Sequence, residues 1–362
     1  MQRIESKKIM ITGGTGSLGK ALIKKIKEQF PKWEIIVFSR DEGKQALIFG
    51  HDKTIKRVIG DIRDYKKLNT SMKLHKPDYV IHTAALKRID DMELYPDECV
   101  KTNIKGSENV AIASLNNKVE KCILISTDKA CQPVNVYGSS KFIAERIFTN
   151  YDYNSSWGGS GTIFASVRYG NVIASRGSFI PLWLDLIARN EKIKVTSMEC
   201  SRFLFTLEDA VDTVLTALRV AQGGEIFIPN IDSYDMSSVI KAVATISNKE
   251  TVEYDVTGLR PGEKIHEDML AETELDFAYY AANNLLAVLP QYTNREHTYI
   301  KKYKGRYMNS SLYLSHDNEK LVRLINRGLG ESSENSPNED VELSAAFRDQ
   351  VLREIKMMNG EE

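Results

Sequence analysis

Short apolar runs alternate with amphipathic stretches through the first half of the chain. The runs are Ile9–Thr12, Ile35–Phe38, Lys56–Ile59, Tyr79–Thr83, Cys122–Ser126 and Ile163–Val167. Between most of them lie segments in which apolar residues recur at helical spacing, such as Leu18–Gln29 and Asn103–Asn116. Strands separated by helix-length crossovers predict an α/β fold, a doubly wound parallel sheet with helices on both faces. After Arg168 the regularity weakens, and one helix-like segment, Leu207–Ala221, precedes a strand-like run, Glu225–Ile228. The pattern therefore assigns 1–170 and 206–232 to the sheet domain, and 171–205 with 233–330 to a smaller, discontinuous lobe. Beyond residue 330 the composition turns to Ser, Asn, Glu and Asp around one helix-like stretch, Glu342–Met357, and reads as a polar tail over 331–362.

The length of 362 residues agrees with two lobes, since single cores stop growing at about 300 residues. Basic and acidic residues balance at 49 each, so the totals point to neither a nucleic-acid partner nor a membrane surface. Cys99, Cys122, Cys131 and Cys200 show no CxxC or CxxH spacing and read as reduced, structural thiols with no metal role. No stretch approaches the ~20 apolar residues of a membrane span. The N-terminus lacks the apolar core of a signal peptide, so the expected setting is the cytoplasm or an equivalent reducing compartment.

Directly after the first strand comes Gly13-Gly14-Thr15-Gly16-Ser17-Leu18-Gly19, opening a helix with glycines spaced GxxGxxG. Glycine permits a tight turn and close approach of backbone amides to a pyrophosphate, and the helix N-terminus adds positive potential. The loop reads as a dinucleotide cradle. Some twenty residues on, where an acid usually meets the ribose 2′-hydroxyl of NAD, the chain has Ser39-Arg40-Asp41. A hydroxyl and a guanidinium, with Lys44 assisting, suit the 2′-phosphate of NADP. The alternative is NAD, with Asp41 on the ribose. Asp61-Ile62 after the third strand and Ala84-Ala85 with Lys87 after the fourth lie where a doubly wound sheet binds its ligand. Asp61 would bond the adenine amino group and the alanines would let the nucleotide reach backbone. His82 is read as hydrogen-bonded core.

Ser126-Thr127-Asp128-Lys129 ends an apolar strand and is followed by Tyr137-Gly138-Ser139-Ser140-Lys141, the only Tyr-x-x-x-Lys pair in the chain. Positions i and i+4 share a helix face, so the Lys141 ammonium can favour ionisation of the Tyr137 phenol. The phenolate then takes a hydroxyl proton while hydride leaves the same carbon for the nicotinamide, Thr127 holds the hydroxyl, and Lys141 also reaches the cofactor ribose.

With these motifs the chain resembles the extended short-chain dehydrogenase/reductase family of Rossmann-fold enzymes. Within it, the chain is similar to the nucleotide-sugar 4,6-dehydratases, above all the inverting UDP-N-acetylglucosamine type. The resemblance covers roughly residues 5 to 270 and rests also on Phe38-Ser39-Arg40-Asp41-Glu42, Ala84-Ala85-Leu86-Lys87 and Leu259-Arg260-Pro261-Gly262-Glu263-Lys264. It implies that, after C4 oxidation, Lys129 removes the C5 proton and Asp128 protonates the departing C6 hydroxyl, before hydride returns to C6. A lysine of lowered pKa and a shielded, protonated carboxyl make that division of labour coherent. The resemblance further implies a UDP-sugar held by Lys87, Asn171, Ser178, Arg202, Arg260 and Glu263, and a homo-oligomer. Asn103 is read as a structural brace.

The chain departs from the family pattern at Ile89-Asp90-Asp91, at Glu199-Cys200-Ser201 and beyond residue 275, where no counterpart is evident. A UDP-hexose 4-epimerase, a UDP-glucose 4,6-dehydratase and a non-catalytic dinucleotide sensor remain competing readings.

Overall fold

A computed structural model describes residues 6–335 except 160, 174 and 176, with the side chains of 331–335 left out. Its centre is a nine-stranded sheet. Six strands match the six apolar runs: β1 (Lys8–Thr12), β2 (Glu34–Ser39), β3 (Ile55–Ile59), β4 (Tyr79–His82), β5 (Lys121–Ile125) and β6 (Ile163–Val167). The order β3-β2-β1-β4-β5-β6 is parallel throughout, and Ile226–Pro229 adds a seventh parallel strand. The chain direction across the sheet reverses between β1 and β4, and ligands of open α/β sheets bind in the crevice at that point.

Why the runs are apolar throughout is visible in β1. Ile9 and Ile11 join one buried cluster with Leu22 and Val214, while Met10 joins another with Leu68 and Phe148. Successive strand residues face opposite sides, and both sides are covered by helices. The helices Ser17–Gln29 and Leu207–Val220 cover one face, and Tyr65–His75, Gly106–Asn116 and Val136–Gly158 the other.

Two features differ from the sequence expectation. Leu285–Val288 and Ala278–Tyr280, inside the stretch assigned to the second lobe, extend the large sheet as antiparallel strands. The helix Asn318–Asn335 carries Leu321 and Ile325 into the core of the small lobe, so the chain stays ordered past residue 330. The helix-like stretch Glu342–Met357 lies outside the described residues.

The small lobe is built from distant segments. Ser201–Phe205 lies between Asn171–Val172 and Ser233–Asp235 in one sheet, and Asp268–Leu270 pairs with Met308–Asn309 in another. Ile180, Trp183, Leu204 and Val239 form its core with the last helix. Among the described residues, no helix is long and apolar enough to cross a membrane.

Candidate active site

The loop after β1 is shaped by its glycines. Gly13 has φ +72°, and a Cβ there would stand 2.8 Å from the Ala84 backbone; at Gly19 it would stand 2.5 Å from the Gly14 Cα. Only a bare backbone fits both positions. No side-chain hydrogen bond caps the helix start at Gly16, so Thr15, Gly16, Ser17 and Leu18 turn a helix N-terminus toward the crevice. These residues fit a dinucleotide pyrophosphate.

At the end of β2, Ser39 is buried and its hydroxyl accepts from Gln45 Nε2 at 2.9 Å. Arg40 is exposed, 3.7 Å from Asp61. Asp41 caps the helix Glu42–Phe49, accepting from the Lys44 amide at 2.9 Å, and pairs with the Lys44 ammonium at 3.3 Å. The Asp61 carboxylate accepts from the Arg63 amide, Nε and Nη2. Burial opposes its charge, but the Arg63 bonds hold its carboxyl below the usual range. Ile62 is buried below it, where a Cβ on Gly106 would press on its side chain.

Behind the crevice, His82 links Thr12 Oγ1 at 2.7 Å to Ser107 Oγ at 3.0 Å. Burial, with the Lys141 charge adding to it, pushes the imidazole down to about 3, a neutral core histidine. Asn103 is fully buried in a π-helical turn, Val100–Lys105, that precedes the helix read from the sequence. It exchanges two hydrogen bonds with the Leu86 backbone and donates to Ser140 Oγ at 3.0 Å. This brace fixes the loop carrying Ala84, Ala85 and the exposed Lys87 against the helix carrying Lys141.

That helix, Val136–Gly158, starts at Asn135, whose side chain accepts from the Gly138 amide at 2.6 Å. A Cβ on Gly138 would collide with the Lys129 carbonyl oxygen, so glycine lets the helix abut the Asp128–Ala130 turn. Asn135 Nδ2 also donates to the Gly262 carbonyl at 2.8 Å, tying the small lobe to the helix start.

The chemical groups converge here. Thr127 Oγ1 donates to Asp128 Oδ1 at 2.8 Å, and Lys129 Nζ lies 3.0 Å from the same oxygen. On its other side Lys129 Nζ lies 3.1 Å from Glu267 Oε1, a residue the sequence reading missed. Asp128 Oδ2 and Glu267 Oε2 are buried and have no hydrogen-bond partner within the described protein. Burial pushes the Tyr137 phenol up to about 12, with the Lys129 charge working against the rise. Burial pushes Lys141 down to about 8, against the pull of Glu145. Lys129 is the correction: burial alone would lower it, as the sequence reading anticipated, but Asp128 and Glu267 carry it well above the ordinary lysine value.

Of the expected nucleotide contacts, Asn171 Oδ1 and Ser178 Oγ are buried and unpaired among the described residues, as groups awaiting a polar ligand would be. Arg260 is exposed and pairs with Asp90 at 3.5 Å and Glu263 at 3.2 Å. Arg202 is largely buried, and its charge acts on both Lys129 and Glu267. Its Nη1 donates to the Ser201 and Ile265 carbonyls, and its Nη2 lies 2.9 Å from Glu263.

Residues 9–287 match a family model described as polysaccharide biosynthesis protein. The inverting UDP-N-acetylglucosamine 4,6-dehydratase of a Campylobacter jejuni strain is 41% identical over 281 residues, 76% of this chain and 81% of that protein. A UDP-glucose 4-epimerase of Rickettsia massiliae is 40% identical over 279 residues, 74% of this chain and 79% of that protein. The X-ray structure of Pen from Bacillus thuringiensis matches with a TM-score of 0.80 at 34% identity, covering 90% of this chain and 99% of that one. That coverage extends beyond residue 275, where the sequence alone showed no counterpart.

Proposed function

The chain belongs to the polysaccharide biosynthesis protein family, and from that premise we propose that it is a UDP-N-acetylglucosamine 4,6-dehydratase that inverts C5. The observation that carries this reading is the part-buried lysine between two buried carboxyl groups, Asp128, Lys129 and Glu267, beside Tyr137. An epimerase moves only the C4 hydride and hydroxyl proton, for which Tyr137 and Lys141 suffice. Loss of water needs an acid and a base besides these, and the cluster supplies them.

Tyr137 takes the C4 hydroxyl proton, with the Lys141 ammonium stabilising the phenolate and Thr127 orienting the hydroxyl. A dinucleotide held by the Gly13 to Gly19 loop would supply the hydride acceptor for C4 and the hydride donor for C6. Lys129 removes the C5 proton, made acidic by the adjacent C4 ketone, and Asp128 gives the C6 hydroxyl the proton with which it leaves as water. C5 then takes a proton from solvent on the face opposite the one that was deprotonated. Asn171, Ser178 and Arg260, with Lys87, hold the nucleotide diphosphate, while Glu263 positions both Arg202 and Arg260.

The dinucleotide is NADP in this reading, since Asp41 is engaged in capping its helix and leaves Arg40 as the group facing a 2′-phosphate. The setting is cytoplasmic and the enzyme self-associates. Exposed Leu94, Phe142 and Ile143, on two helices that pack together, support the second point.

The test is incubation with UDP-N-acetylglucosamine in deuterated water, followed by mass spectrometry and proton NMR. Water loss with deuterium at C5 and inverted ring couplings is the expected result. The epimerase reading is favoured by the Rickettsia relative. Interconversion at C4 without water loss would establish it in place of the dehydratase.

A further inference from the structure

Lys129 poses a problem of proton inventory. A C5 proton is taken by an amine, yet the buried carboxyl groups of Asp128 and Glu267 flank this side chain and favour its ammonium form. The proton must go somewhere before the base can act. Solvent is a poor destination, because Asp128 and Glu267 are almost wholly buried and a sugar seated on the cluster would cover the 17% of the Lys129 side chain that is exposed.

We propose that Glu267 is the proton partner that frees Lys129, making Asp128, Lys129 and Glu267 a three-membered relay; this rests on the dehydratase reading above. The cycle starts with Asp128 as the neutral acid, Lys129 as an ammonium and Glu267 as a carboxylate. The proton on Nζ passes along the 3.1 Å contact to Glu267 Oε1, so an N–H bond breaks, an O–H bond forms, and Lys129 is left a neutral amine. Its lone pair then takes the C5 proton as the C5–H electrons form the C5–C6 double bond. The C6–O electrons leave with oxygen, which receives the Asp128 proton. Lys129 is now an ammonium between an Asp128 carboxylate and a protonated Glu267. One proton moving from Nζ to Asp128 and one from Glu267 to Nζ restore the starting state.

Three observations support this beyond proximity. Glu267 is held in place by Ser310, which accepts from its backbone amide at 2.8 Å and whose own amide donates to its carbonyl at 2.8 Å. Glu267 Oε2 has no partner among the described residues, so its carboxyl is clamped at one oxygen only. Burial raises the Glu267 carboxyl toward protonation, against the Lys129 and Arg202 charges. Covering an ion pair with substrate favours its neutral tautomer, because both charged forms lose solvation. The other titratable and charged groups acting on the pair are Asp128 and Tyr137 from the segment after β5 and Arg202 from the small-lobe sheet. Glu267 acts through Lys129 and is a positioning residue, not a group touching the sugar.

The experiment measures water loss from UDP-N-acetylglucosamine and its C5-deuterated form across pH, for the full chain and for E267Q and E267D. With the proton kept inside the pair, the wild-type rate is flat near neutrality. E267Q is expected to fall about 100-fold at neutral pH. It should then climb about tenfold per pH unit, because Lys129 must release its proton to solvent, and show an enlarged C5 isotope effect. E267D is expected to keep the flat profile with a smaller loss. Should E267Q fail to fold, E267D still decides, through an enlarged C5 isotope effect. A wild-type pH profile and isotope effect in E267Q, or in E267D a slower rate without a change in isotope effect, overturn the relay. A wild-type chain that releases no water sinks the dehydratase reading and the relay with it.

Discussion

Two acid–base–acid clusters form where the chain leaves the neighbouring strands β6 and β5, and they are built for opposite ends. In one, Arg168 is fully buried and donates from Nε, Nη1 and Nη2 to Glu145, Glu274 and the Met269 carbonyl, five hydrogen bonds between 2.8 and 3.2 Å. Ser126 also donates to Glu145 at 2.5 Å. In the other, Lys129 stands between Asp128 and Glu267, and each of these acids keeps one oxygen without a partner among the described residues. The arginine never gives up its proton and its planar fork saturates both acids, so that cluster is a clamp. The lysine exchanges protons and leaves acceptor atoms open, so its cluster can do chemistry. The clamp stands directly behind the chemistry, since Glu145 lies one helical turn from Lys141 and is the main charge raising it.

Exchanging the character of the two bases is the strongest way to break this contrast. K129R keeps the positive charge but removes the only exchangeable base, and water loss is expected to fall about 1,000- to 10,000-fold with the melting temperature little changed. Product NMR and differential scanning calorimetry read the two outcomes. R168M is expected to do the reverse in kind, leaving Glu145 and Glu274 as unpaired buried charges and costing about 3–5 kcal/mol in denaturant unfolding. A K129R protein that retains its rate, or an R168M protein as stable as wild type, would erase the distinction drawn here.

Lys141 sharpens the contrast through pH. In the proposed mechanism it assists Tyr137 as an ammonium, and burial has pushed it down to about 8, so activity should decline as pH rises through that value. K141R, unable to lose its charge, should be slower at the optimum but lack this alkaline limb. The linked stability effect has the opposite sign. Between about 8 and the ordinary lysine value of 10.5 the unfolded chain binds the proton that the folded chain has released. The Lys141 contribution to stability should therefore rise with pH across that window and vanish in K141M. The smallest effect is at Asn135, where N135A removes a helix cap for about 1 kcal/mol. Because it also releases the Gly262 loop, its KM for the UDP-sugar should rise more than its kcat falls.

How much of this was legible beforehand follows the range of the interactions. The strands β1–β6 were readable because burial on both faces makes each an uninterrupted apolar run. The Gly13 to Gly19 cradle and the Tyr137, Lys141 pair were readable because each is a local spacing with a steric or helical reason. Glu267 was not. It sits within Lys264-Ile265-His266-Glu267-Asp268, where nothing local distinguishes it from a solvated acid. Its neighbour Lys129 is 138 residues earlier, and its anchor Ser310 lies 43 residues later. The same holds for the place of Arg202 beside Lys129 and Glu267, where its donors meet Glu263 and the Ile265 carbonyl.

The sequence by itself determined the doubly wound sheet, the glycine cradle and the identity of the groups after β5, since these depend on periodicity, backbone sterics and spacing within one turn. Only the tertiary structure decided what those groups are worth chemically. Whether Lys129 is a depressed amine or a clamped ammonium depends on which charges a distant segment brings within about 3 Å in a dry environment. The energy of such a contact scales with distance and local dielectric, neither of which is written in any window of the chain.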